Sequence, residues 1–121
     1  MTAPAGAGDL RFRLRFDMSV AVDAEGGATT DWVTQFERQG AIRPLRGSEP
    51  VLAQRLTGVQ PVLIIVRLDG DTRRIDPSWR AVELVNGSEV ARYAVKSAAD
   101  MERERKFLTI IAESGVADGG N

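Results

Sequence analysis

Leu10-Arg11-Phe12-Arg13-Leu14-Arg15-Phe16 alternates apolar and basic residues without a break. Successive side chains of a β-strand point to opposite faces, so this spacing predicts a strand with Leu10, Phe12, Leu14 and Phe16 on a core and Arg11, Arg13 and Arg15 facing out. A strand of this kind needs at least two more to bury its apolar face. The rest of the chain therefore has to supply a sheet. The outward basic face reads as a solvated or subunit-contacting surface rather than a DNA-binding one, because alternation itself demands polar residues there and charge keeps an edge strand from pairing with copies of itself.

Working outward, residues 17–31 gather Asp23, Glu25, Gly26, Gly27, Thr29, Thr30 and Asp31, a turn-rich set that predicts an exposed loop or a long hairpin tip. Its acids, Asp17 included, lack the spacing and terminal Glu of an EF-hand, so no metal is expected. Trp32 to Phe36 resumes β character and continues through Ala41 to Leu45, with Gly40 read as a bulge or bend and Pro44 as marking a sheet edge or a strand end. Ser48 can cap a short helix that begins at Glu49 and Pro50, carries Leu52 and Leu56 on one face, and stops at Gly58. Two turns of helix need a sheet to pack on.

Val62-Leu63-Ile64-Ile65-Val66 is apolar on both faces, which calls for cover on both sides, a barrel interior on one and the helix or another subunit on the other. Asp69-Gly70-Asp71 and Asp76-Pro77 mark turns, and Trp79 to Leu84 a strand. Asn86-Gly87 is the strongest hairpin signal, pairing Val82–Val85 with Ser88–Val95 through a type I′ turn. A polar turn over Asp100–Arg105 leads to a last strand, Phe107–Ala112. The expected fold is mainly β: a small antiparallel β-barrel or sandwich of about six strands with one short α-helix. Residues 10–113 form its single domain, between a flexible arm at 1–9 and a tail at 114–121.

Composition narrows the function classes. With 43% apolar and 27% charged residues and a net charge of −1, the chain reads as a folded protein without a polyanion-seeking field. Cys and His are absent, which removes thiol chemistry, the usual general base and the commonest metal ligands. Lys96 and Lys106 are the only lysines, outside any Ser-x-x-Lys setting. Gly26-Gly27 lacks the rest of a P-loop. No catalytic residue, cofactor or metal is expected, and no run is long enough to span a membrane.

Taken in order, the basic strand, Glu25-Gly26-Gly27 followed by Asp31-Trp32-Val33, the set Ala41-x-x-Pro44-Leu45-x-Gly47-x-Glu49-x-x-x-Ala53, the Arg67 strand and Tyr93-Ala94-Val95 resemble tailed-bacteriophage head-tail joining proteins, also called head-closure or stopper proteins and found in gene transfer agents. The resemblance implies a virion protein, made in the host cytoplasm, that forms a ring of six or twelve copies at the head-tail interface. Such a ring sits between the portal or adaptor ring above and the tail terminator or tail tube below, and closes the channel through which double-stranded DNA passes. On that reading the 17–31 loop, with Asp23, Glu25, Gly26, Gly27 and Trp32, reaches a neighbouring subunit or ring. The segment from Arg46 to Gln60, with Arg46, Gly47, Glu49, Gln54 and Arg55, faces the channel or the ring above, unless its helix merely caps the barrel. A tail terminator is the nearest alternative. An OB-like single-stranded nucleic-acid-binding barrel is another, with Arg11, Arg13, Arg15, Trp32 and Tyr93 as its platform.

Overall fold

The computed structural model describes residues 10–45, 60–100 and 105–114. Six strands lie in these segments: β1 (Phe12–Ala24), β2 (Gly27–Pro44), β3 (Gln60–Arg67), β4 (Trp79–Val85), β5 (Ser88–Ala99) and β6 (Phe107–Ser114). They form one closed antiparallel barrel in the order β1-β2-β3-β6-β5-β4, with β4 returning to pair with β1. Closure removes the open edges that a six-stranded sheet would otherwise present.

The alternation that opens the chain works as expected over Leu14 and Phe16, both fully buried in the barrel interior. Leu10 departs from it. It lies ahead of β1 and packs outside the barrel wall with Ala41 and Ile65. The doubly apolar strand divides as its pattern demands: Val62, Ile64 and Val66 enter the interior, while Ile65 joins that outer cluster with Leu63 and Phe107 packed against it. Asn86 (φ 53°) and Gly87 (φ 81°) make the expected tight turn between β4 and β5, the geometry in which both central residues need positive φ.

Gly40 is neither bulge nor bend. It pairs in register with Phe12 and Val66 inside one continuous strand, and it is glycine because a Cβ there would lie 2.8 Å from Leu14 Cδ1 and 2.9 Å from the Ile65 carbonyl oxygen. The register of β1 against β2 shifts instead between Phe16 and Asp17, where Phe16 faces Phe36 but Asp17 faces Thr34. Gln35 is the extra residue. The helix expected near Glu49–Gly58, the arm at 1–9 and residues 115–121 lie outside the described residues.

One end of the barrel is closed by the β3–β4 connection. Asp69 accepts backbone N–H bonds from Asp71 and Thr72 (both 2.8 Å), and the Thr72 hydroxyl donates to the Arg67 carbonyl (2.8 Å). This local network shapes a 3-10 turn, Thr72–Arg74, which delivers Ile75 into the core. Phe36 stacks between Phe16 and Trp79 (centroids 5.5 and 5.8 Å), with the Arg38 and Arg74 guanidinium groups over its ring. The interior is thus filled with side chains, as small barrels are.

Candidate functional site

Of the two forms expected for residues 17–31, exposed loop or long hairpin tip, the structure has the hairpin. β1 pairs with β4 only as far as Met18, and β2 pairs with β3 only from Gly40, yet β1 and β2 stay paired with each other out to Ala24 and Gly27. The result is a two-stranded arm reaching about 20 Å past the barrel, six residues at the usual strand rise. Gly26 and Gly27, at φ 91° and 129°, turn its tip beside Glu25, a backbone that L side chains rarely adopt.

The two faces of the arm differ. Leu14 and Phe16 point into the barrel, and the same face continues along β1 as Met18, Val20 and Val22, opposite Val33, Asp31 and Thr29. Met18, Val20 and Val22 stay half-buried and Val33 is 44% exposed. Among the described residues the face has no strand across from it. The arm also carries Asp23, Glu25 and Asp31 with no Lys or Arg among residues 19–31, and among the described residues none of the three acids has an ion-pair partner.

A buried ionic cluster holds the root of the arm. Asp17, 1% exposed, accepts from Arg15 Nε and Nη2 (2.9 Å each), from Arg80 Nε across the sheet on β4 (2.8 Å) and from the Thr34 hydroxyl (3.0 Å). Burial works against its charge, but the bonds from Arg15, Arg80 and Thr34 outweigh it and hold the carboxyl below the usual carboxylate range. The Asp17 bond raises Arg15 in turn, against the burial of its guanidinium. Arg15 Nη1 also reaches Glu89 (3.0 Å), whose carboxyl is lowered by that bond, and Glu89 bonds Arg92. Arg15 and Arg92 flank the fully buried Val82 in the register, so their stems shield an apolar residue on the outer wall. Trp32 places its ring 4.5 Å from the Arg80 guanidinium, and its buried Nε1 has no hydrogen-bond partner.

These placements redistribute the residues singled out from sequence. Asp23, Glu25, Gly26 and Gly27 gather at the arm's outer end and Trp32 at its root. Arg11 is exposed, Arg13 pairs with Glu37 (2.9 Å), and Arg15 is drawn into the Asp17 cluster. Tyr93 lies in the barrel core, its hydroxyl raised by burial and by Glu83 beside it. The basic, aromatic platform of an OB-like single-strand binder is therefore not assembled: Tyr93 is inside and Arg15 is committed to carboxylates. Arg46, Gly47, Glu49, Gln54 and Arg55 lie outside the described residues. Sequence reasoning missed Met18, Val20 and Val22, although Asp17-Met18-Ser19-Val20-Ala21-Val22-Asp23 carries the period of two that would have found them. It also missed Asp17, counted there among exposed acids.

Among the described residues no group of three or more acidic side chains could hold a metal ion, and no helix is long and apolar enough to cross a membrane. Three comparisons with known proteins place the chain. No curated protein matches it. A chain in the solved virion of a native gene transfer agent particle shares the fold at a TM-score of 0.58, with 23% identity over 88% of this chain and 96% of that one. The sequence matches the model of the phage head completion proteins over residues 6–115. A match across nearly the whole length, barrel and arm together, settles the family: the chain belongs to the phage head completion proteins.

Proposed function

We propose that copies of this chain assemble into a ring at the head-tail interface of a phage or gene transfer agent particle, closing the DNA channel after packaging and presenting a surface on which the tail docks. A structural role in the virion follows from the family; the family match is the observation that carries the reading. The geometry supports the finer part. A barrel filled by Phe16, Leu14, Ile64 and Ile110 has no lumen, so any passage for DNA has to lie between copies, as in a heterologous ring that closes on itself. The arm projects from a closed barrel that needs no further strand, which suits contact with a neighbour. Ion pairs occupy much of the outer basic side, and a net charge of −1 suits a collar that duplex DNA slides through without being gripped.

The test is a particle-producing strain from which the chain is deleted. Heads that fill with DNA, leak it and fail to acquire tails are expected, with loss of density at the portal vertex in electron micrographs. Particles that keep their genomes and carry normal tails would rule the reading out.

A further inference from the structure

Among the described residues the arm leaves two needs unmet, an apolar face with no strand opposite and three carboxylates with no ion-pair partner. We infer that the arm of one copy lies on the outer β2–β3–β6 wall of the next, Val20 and Val22 against Leu63 and the carboxylates of Glu25 and Asp31 against Arg43 and Arg67. This rests on the ring reading above and names the surface that would join its copies.

The wall is complementary in chemistry and in spacing. Arg43 stands opposite the half-buried Leu63 in the register, Arg67 is four residues further along β3, and Leu63 packs against the buried cluster of Leu10, Ala41 and Ile65 on this wall. Neither arginine has an ion-pair partner among the described residues. At the strand rise, the two are about 13 Å apart along the wall. On the arm, Asp31 is level with Val20 and Glu25 stands at the tip, about 17 Å further out by the same rise, with Val22 between them. Long arginine side chains span the difference. The arm's like charges disfavour pairing of two identical arms. A basic wall on a second copy therefore suits it better than a second arm, and the contact is heterologous, the type that closes a ring.

The chain has no cysteine, so introduced thiols report cleanly. Glu25→Arg with Asp31→Arg in one full-length variant, and Arg43→Glu with Arg67→Glu in another, are each expected to lower incorporation into particles at least tenfold while leaving the melting temperature unchanged. A chain carrying all four changes is expected to recover incorporation. Val22→Cys and Leu63→Cys chains co-produced in particles are expected to form a disulfide-linked dimer that neither gives alone. Failure of the four-fold variant to recover, or a Val22–Val22 link in its place, overturns the arm assignment. If particles of the parent still show a ring of copies, only that assignment falls; if the parent chain is itself absent from particles, the ring reading falls with it.

Discussion

Arg80 Nε donates to Asp17 Oδ2 at 2.8 Å between side chains that are 8% and 1% exposed, joining β4 to the last residues of β1 that still belong to the barrel. Removing one member of a buried ion pair strands the other, at a cost of about 3 to 5 kcal/mol. Asp17→Ala is expected to fall in that range by urea denaturation. Arg13→Ala, which breaks an exposed pair with Glu37, should change stability by less than about 1 kcal/mol.

The same cluster sets the acid limit of the fold. Asp17 and Asp69 are held below the usual carboxylate range although burial opposes it, Asp17 by Arg15, Arg80 and Thr34 and Asp69 by the Thr72 N–H and Arg38; Glu89 is lowered by its bond from Arg15. A carboxyl lowered in the folded state contributes stability above the unfolded value, near pH 4, and loses it as pH falls through the folded value. The melting temperature should therefore hold between pH 6 and 8, as generic carboxylates stay ionised there, and drop below about pH 4. Asp17→Asn should be less stable at neutral pH and show a shallower acid drop.

At the alkaline end the sign reverses. Burial, with Glu83 adding to it, raises the Tyr93 hydroxyl, so its contribution is complete below the unfolded value near pH 10 and fades as pH rises through the folded one. Tyr93→Phe is expected to remove part of that alkaline loss in thermal melts at high pH.

Gly40→Ala tests the close approach of β1, β2 and β3. Its new Cβ would meet the Ile65 carbonyl, which is backbone and cannot swing aside. Overpacking of this kind costs about 1 to 3 kcal/mol, measurable in the same denaturation series. Gly70→Ala, with open space around the new Cβ, should be within about 0.5 kcal/mol of the parent.

The arm and the barrel should separate in their effects. Replacing residues 20–31 by a two-residue turn keeps the Asp17 cluster and the Ser19–Trp32 pair, so the melting temperature is expected to stay within a few degrees of the parent, while assembly is lost. Calorimetry of the trimmed chain, set beside its recovery in particles, reads both outcomes.

Much of the barrel was legible in the residues. Leu14 and Phe16 announced their strand by strict alternation, Val62 to Val66 by being apolar on both faces, and Asn86-Gly87 by demanding positive φ. What stayed hidden depended on neighbours distant in sequence. Asp17 reads as one more loop acid until Arg80, 63 residues on, comes alongside it. Gly40 reads as a bend because nothing local reveals that Leu14 and Ile65 crowd it. The arm was obscured by its glycines and acids, which outweighed a period of two that runs on from Phe16 to Val22.

The strand order has a consequence for synthesis on the ribosome. β6, the last strand among the described residues, is inserted between β3 and β5, and β1 waits for β4, whose residues follow its own by more than sixty positions. Pairings so distant in the chain are slow to form. A nascent chain halted before Phe107 holds β3 and β5 as two unzipped seams, competent for mispairing with other nascent chains. Insertion of this one strand is therefore the step that zips both seams at once and closes the barrel.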